Sequence, residues 1–251
     1  MKKMMVMLLC ALAMAASSVH AQDGDKIRIA FDVPYEPFEF RTPDGELTGF
    51  EVDLARAVCE ELKADCEFVV QAWDGIIPGL QARKYDAIMS SMSITEDRAK
   101  VVLFSEPYYN TPSAWFAPED STIDSVDKEA LKDKVIGVQR GTTQDAYVSD
   151  NFGSVADIKR YTTSDDLVLD MEGQRLDLVF LDYPVGEETL LKKDGYKTVG
   201  EEVKLGEGMG VAFRKRDKDL AERFNKALEK LKNDGTYDEI MKKYFDYSIK
   251  V

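Results

Sequence analysis

Short apolar strand patterns alternate with amphipathic helix patterns along almost the whole chain, and this alternation limits the fold more than any other feature. Lys26–Ala30 reads as a strand. Leu54, Ala55, Val58, Cys59 and Leu62 then recur at helical spacing on one face. Strand patterns at 66–70 and 86–89 flank a helical 76–82, and strands at 135–138, 158–161 and 177–181 are separated by helices from about 142 and over 165–171. Leu220, Phe224, Ala227, Leu228 and Leu231 mark a strong amphipathic helix stopped by Gly235. Thr236 is then expected to cap a last helix carrying Ile240, Met241, Tyr244 and Phe245. Strands separated by helices imply an α/β fold with mostly parallel sheets, because a parallel pair needs a long crossover.

Two segments break the alternation. Tyr108-Tyr109-Asn110-Thr111-Pro112 follows the first α/β block, and Gly206, Gly208 and Gly210 precede a strand at 211–213. They bracket a second block, after which the terminal helices return to the first. The expected division is residues 22–110 for one lobe, 111–207 for the other and 208–251 for the return. Two crossovers make a hinge, and a cleft between lobes is a natural small-molecule site.

The first 21 residues read as a secretory signal. Lys2 and Lys3 precede an apolar run from Met4 to Ala16, and small residues lead to a cleavage point after Ala21. The run is too short to span a bilayer, which needs about 20 residues. Cleavage takes with it His20, the only histidine, so Ser-His-Asp and Cys-His chemistry and His-based metal sites are excluded from the exported chain. It also moves the formal charge from −14 to −16 by removing the two lysines. That acidic balance argues against a nucleic-acid partner, which requires clustered Lys and Arg. Cys59 and Cys66 remain. An even pair in an exported protein reads as a disulfide, although two free thiols are the alternative. Seven residues of continuous helix would hold the cysteines about 10.5 Å apart, beyond the ~7 Å reach of a disulfide. The helix must therefore end between them, near 63–65.

Candidate chemistry collects at strand ends, where open α/β sheets bind ligands. Ser90, Ser91 and Ser93 follow one strand, with Arg98 shortly after. Three hydroxyls and a guanidinium suit an oxyanion, and Arg can grip a carboxylate with two parallel hydrogen bonds. The same residues also read as a Ser-rich turn with a Thr95 helix cap. Gly141-Thr142-Thr143-Gln144 opens a helix, whose free N–H groups favour an anion or simply need a cap. Asp182 ends another strand and suits an ammonium, or caps the next helix. Asp32, Tyr35 and Phe38 follow the first strand and Trp73 precedes a helix, so aromatics here can sandwich a ligand or fill a core. The glycines at 206, 208 and 210 lead into a strand and are no dinucleotide fingerprint.

These residues resemble a known family. Asp-Ala-Ile-Met-Ser-Ser-Met-Ser-Ile-Thr-Glu-Asp-Arg at 86–98, Gly-Phe-Glu-Val-Asp at 49–53, Gly-Thr-Thr-Gln at 141–144 and Asp-Gly-Thr-Tyr at 234–237 occur in the order found in polar amino-acid-binding proteins of bacterial ABC importers, solute-binding protein family 3. The resemblance covers 25–248 and lies nearest the lysine/arginine/ornithine- and histidine-binding branch. It implies a two-lobed periplasmic binding protein fold (type II) with a two-strand hinge, closing on one free L-amino acid, and a disulfide at Cys59–Cys66. Arg98 matches the arginine that grips the α-carboxylate, helped by Ser93 and the N–H of Thr143 beside Thr142. Asp182, aided by Ser91, matches the acid that takes the α-ammonium. Tyr35 and Trp73 match the walls around the side chain. Asp32 matches the acid meeting a cationic side-chain end, Ser90 and Gln139 can add contacts, and Glu51 replaces a shorter acid. The resemblance further implies a periplasmic monomer serving an inner-membrane ABC permease, with no cofactor and no metal. The same fold also hosts prephenate-type (cyclohexadienyl) dehydratases, and a soluble amino-acid-sensing domain is a further reading.

Overall fold

The computed structural model describes residues 25–251, so the expected signal segment and its cleavage point lie outside the described residues. The chain opens with β1 (Lys26–Phe31), a small hairpin of β2 (Phe40–Arg41) and β3 (Leu47–Thr48), α1 (Phe50–Leu62) and β4 (Asp65–Val70). After a 3-10 turn at Trp73–Gly75 come α2 (Ile76–Gln81), β5 (Ala87–Ile88), α3 (Glu96–Val101) and β6 (Leu103–Phe104). The second block holds β7 (Ser113–Pro118), β8 (Val135–Gln139), α4 (Thr143–Phe152), β9 (Asp157–Tyr161), α5 (Ser164–Glu172) and β10 (Leu178–Asp182). It closes with α6 (Tyr183–Gly186), a π-helical turn at Glu187–Leu191 and β11 (Tyr196–Val203). The return carries β12 (Ala212–Phe213), α7 (Lys218–Asp234) and α8 (Thr236–Met241).

Two five-stranded sheets result, ordered β4-β1-β5-β12-β6 and β11-β7-β10-β8-β9. In each, the strands joined by helices run parallel: β1 with β4 and β5, and β8 with β9 and β10. The remaining pairings, of β12 with β5 and β6 and of β7 with β10 and β11, are antiparallel. The sheets are therefore mixed rather than mostly parallel. The physical reason is connectivity: β7 and β12 are the strands on which the chain enters a lobe from the other one, so no helical crossover fixes their direction.

The two crossovers pair with each other. Met209 N donates to the Tyr109 carbonyl at 2.8 Å and Tyr108 N to the Met209 carbonyl at 3.0 Å, forming the two-strand hinge. Around it, Phe38, Phe50, Tyr109, Tyr237 and Phe245 stack edge and face with centroids 5.2–6.4 Å apart, which locks the return segment onto the first lobe. Each lobe has its own core; Ile136, Val138, Leu178 and Phe180 fill the second.

Helix α1 ends at Leu62, with Lys63 in the left-handed conformation as its C-cap. The turn brings the Cα atoms of Cys59 and Cys66 to 6.1 Å, and the disulfide forms. At the other end, Gly49 has φ 124°, and a Cβ there would lie 2.2 Å from the Phe38 carbonyl oxygen. Glycine thus lets the start of α1 press against the backbone of Phe38 and Glu39. Two local expectations fail. Thr236 is the first residue of α8 rather than its cap: left-handed Gly235 joins α7 to α8, and the Asp234 carboxylate accepts from Thr236 N at 3.0 Å. Tyr244 and Phe245 lie beyond α8, because the chain leaves the helix to seat Phe245 on Phe38 at 5.5 Å.

Candidate functional site

The carboxyl ends of the parallel strands in both sheets face one another. Asp32 follows β1, Ser90 and Ser91 follow β5, and Asp182 and Gln139 end β10 and β8. Arg98 lies on α3, whose first turn is held by Thr95, with Arg98 N donating to Thr95 Oγ1 at 3.2 Å. Thr142 caps α4 by accepting from Asp145 N at 3.1 Å. One narrow cavity lies between these elements. Asp32, Tyr35, Trp73, Ser90, Ser91, Ser93, Arg98, Gln139, Thr142, Thr143 and Asp182 all line it. Glu51 does not. It is fully buried behind the cavity, because its position on the inner face of α1 points it at Ser91 N, which donates to it at 2.6 Å.

Two lining residues escaped the sequence reading, Glu39 and Gln144. Gln144 sits inside the Gly-Thr-Thr-Gln motif, where the helix start drew attention to the backbone instead. Glu39 lies between two aromatics in Pro-Phe-Glu-Phe, and an acid so framed is the one signal that it is buried.

Charges are segregated across the cleft. Arg98 donates from Nη1 to the Ser93 carbonyl at 3.0 Å and lies over the Trp73 ring at 5.2 Å. Among the described residues no carboxylate pairs with it at ion-pair distance, and burial lowers its pKa to about 10, so it stays cationic at neutral pH. Opposite, Asp182 is 4% exposed and accepts from Tyr35 Oη at 2.6 Å, Gln144 Nε2 at 2.8 Å and Ser113 Oγ at 3.3 Å. Asp32 accepts from Gln139 Nε2 at 2.6 Å, while its own N–H donates to Ser90 Oγ at 2.8 Å. Burial pushes Asp32 and Asp182 each up to about 6, against the pull of these hydrogen bonds.

Several of these bonds join the lobes. Tyr35 reaches Asp182, Gln139 reaches Asp32, and Trp73 Nε1 donates to the Gly141 carbonyl at 3.1 Å. Ser164 Oγ adds a fourth by donating to the Pro34 carbonyl at 2.9 Å. The lobes are closed on each other. Tyr35 and Trp73 accordingly act as more than apolar walls: each spends its polar atom on the opposite lobe. Among the described residues no cluster of His, Cys, Asp and Glu is arranged to hold a metal ion.

A cleft with a cation on one wall and buried carboxylates beside and across from it is the arrangement that a zwitterion would satisfy. Comparison with known proteins agrees. Residues 27–247 match the bacterial extracellular solute-binding proteins, family 3. The chain belongs to that family. This solute-binding protein is 41% identical to the L-arginine-binding protein of Pseudomonas aeruginosa, with 96% of each chain covered. It is 37% identical to the histidine-binding periplasmic protein of Escherichia coli, with 99% of each covered. Its fold superposes on an ancestral arginine-binding protein bound to arginine with TM-score 0.84 and 35% identity, covering 89% of this chain and 99% of that one. These relatives are named as binding proteins, which supports a non-enzymatic role for the solute-binding protein rather than a dehydratase activity.

Proposed function

We propose that the protein captures one free L-amino acid with a cationic side chain, arginine foremost, and presents it to an inner-membrane ABC importer. The observation that carries this reading is the unpaired Arg98 cation set across a closed cleft from the buried Asp182 carboxylate, with Asp32 as a further acid. Arg98, Ser93 and Thr143 take the α-carboxylate. Asp182 takes the α-ammonium with help from Ser91. Asp32 meets the distal cation, and Tyr35, Trp73, Ser90, Gln139 and Thr142 frame the rest. The ligand joins charges on both lobes, so it favours the closed state through contacts that the open state lacks. Inside the closed cleft water is excluded and each pair strengthens.

The matching relatives are periplasmic proteins, and the protein works in that compartment as a monomer after losing residues 1–21. Its lobes are 22–110 with 208–251, and 111–207, and the importer reads their closed arrangement.

A thermal-shift screen over the twenty amino acids, ornithine and citrulline tests this. A ligand at 100 times its Kd stabilises by about 2.7 kcal/mol, so arginine, lysine, ornithine or histidine should give the largest shift. A larger shift with an acidic or neutral amino acid would overturn the basic-ligand reading. Within it, Asp32→Asn should weaken L-arginine by ~1.5–3 kcal/mol, the worth of a hydrogen bond to a charged group. That is roughly 10- to 100-fold, while a neutral amino acid loses little. Equal losses for both in calorimetry would remove Asp32 from the side-chain site.

A further inference from the structure

Beneath the serines of the cleft lie two carboxyl groups, Glu39 at the cavity floor and Glu51 behind it, that hold neither charged end of the proposed amino acid. Glu39 and Glu51 are both fully buried, and Glu51 N donates to the Phe38 carbonyl at 3.0 Å, which sets the two residues side by side. Each holds one cleft serine. Ser90 Oγ donates to Glu39 Oε1 at 2.5 Å, and Ser91 N donates to Glu51 Oε2 at 2.6 Å. Tyr108 Oη donates to Glu51 Oε1. Three of the four carboxyl oxygens thus have donors, and among the described residues the fourth, Glu39 Oε2, has none. An acceptor-only oxygen that receives no donor is costly in a fully buried place. Beside another carboxylate it is satisfied by carrying a proton itself.

We propose that Glu39 is a neutral carboxylic acid donating its proton to the Glu51 carboxylate, and that this bridged pair is a positioning device for Ser90 and Ser91. The chain of bonds is continuous. Glu39 Oε1 accepts from the Ser90 hydroxyl, whose lone pair takes the Asp32 N–H at 2.8 Å. Glu51 fixes the backbone of Ser91, which stands at φ 46° and needs an outside restraint. The Ser91 hydroxyl is itself held by Tyr109 Oη at 2.8 Å. Gly49 makes the pairing possible by bringing the start of α1 against Phe38 and Glu39.

The surroundings favour a single shared proton. The titratable groups facing the pair are Asp32 and Tyr35 from the segment after β1, Tyr108 and Tyr109 from the first crossover, and Tyr237 from α8. All are acids, so none supplies a positive charge that would hold both carboxylates ionised. Burial raises both carboxyls, Glu39 well above the usual carboxylate range with the Glu51 charge pushing it further, while hydrogen bonds from Tyr108 and Ser91 pull Glu51 part of the way back.

The positioning role rests on the proposed amino-acid site; the proton does not, and the experiment keeps them apart. Infrared spectra of the exported protein should show a protonated-carboxyl band at pH 7 that Glu39→Gln abolishes. An amide carboxamide has the same shape, accepts from Ser90 and donates to Glu51, so Glu39→Gln should lose clearly less affinity for L-arginine than Glu39→Ala. Glu39→Ala should lose at least about tenfold, and its Asp32 amide resonance should move while that of Glu39→Gln stays. No band at pH 7 overturns the proposal. So does a Glu39→Gln loss as large as that of Glu39→Ala, which would mean the ligand needs charge there, or unchanged binding by a folded Glu39→Ala. Should the parent fail to bind L-arginine, the amino-acid reading is what fails; the infrared band and the Asp32 resonance still decide the pair. Should Glu39→Ala fail to fold, the band and the Glu39→Gln affinity decide it.

Discussion

Arg98→Ala is expected to weaken amino-acid binding by ~2–5 kcal/mol, the cost of removing one partner from a buried charge pair, or about 30-fold and upward. The guanidinium is half-buried, and among the described residues its partners are neutral groups, the Ser93 carbonyl at 3.0 Å, the Gly141 carbonyl at 3.5 Å and the Trp73 ring. Carbonyl oxygens orient a cation without neutralising it, so its charge remains available to a ligand carboxylate. Ser93 and the start of α4 stand beside it with further donors: Ser93 Oγ and Thr143 Oγ1 are 3.4 Å apart across the cleft. Arg98→Lys should fall between parent and alanine, because it keeps the charge and loses the planar two-pronged grip. The protein should stay folded, since α3 is short and no charge is stranded by the change. Isothermal titration with L-arginine reads the result directly, and an unchanged Kd would sink the assignment of the carboxylate site.

The second large effect is expected at Asp182. Asp182→Asn keeps the shape and removes the charge that would face the α-ammonium, so binding should fall by ~2–5 kcal/mol for every amino acid alike. Generality distinguishes it from Asp32→Asn, whose loss is confined to cationic side chains. Tyr35, Gln144 and Ser113 all donate to Asp182, so an asparagine NH₂ there confronts a donor and adds to the loss. The same group gives a pH signature. Burial raises Asp182 and Asp32 to about 6, and a ligand cation beside them would lower both again. Affinity should hold above pH 6 and decline as pH falls through it, because the ligand then has to displace protons. The decline approaches tenfold per pH unit for each carboxylate that must be deprotonated. Asp182→Asn and Asp32→Asn should each flatten it. A parent affinity constant from pH 7.5 to pH 5 would show that neither carboxylate meets a cation.

Much of the fold was legible from periodicity. The helix face of Leu54, Ala55, Val58 and Cys59 is buried as its spacing implied, and α1 ends at Leu62, where the Cys59–Cys66 bridge required it to end. Strand direction was not legible. A strand's alternation records which face is buried and says nothing of whether its neighbour runs with it or against it. That is why β7 and β12 turned out antiparallel. The site divides in the same way. Arg98, Asp182 and Asp32 stood out because strand ends and charged groups coincide in the sequence. Glu39 and Gln144 did not, since one hides between aromatics and the other behind a helix cap.

The sequence by itself determined the α/β class, the family and where the charged residues fall along the strand ends, because each follows from periodicity or from motifs read in order, while the Cys59–Cys66 bridge needed the turn that brings the two residues to 6.1 Å. Tertiary structure decided which of those groups meet. It placed Glu51 behind the cleft rather than in it and brought Tyr35 to Asp182 over a separation of 147 residues. It also pressed two acids together out of reach of water. The physical reason is that burial and pairing of charge depend on what the rest of the chain packs around a residue, and local pattern carries no record of that.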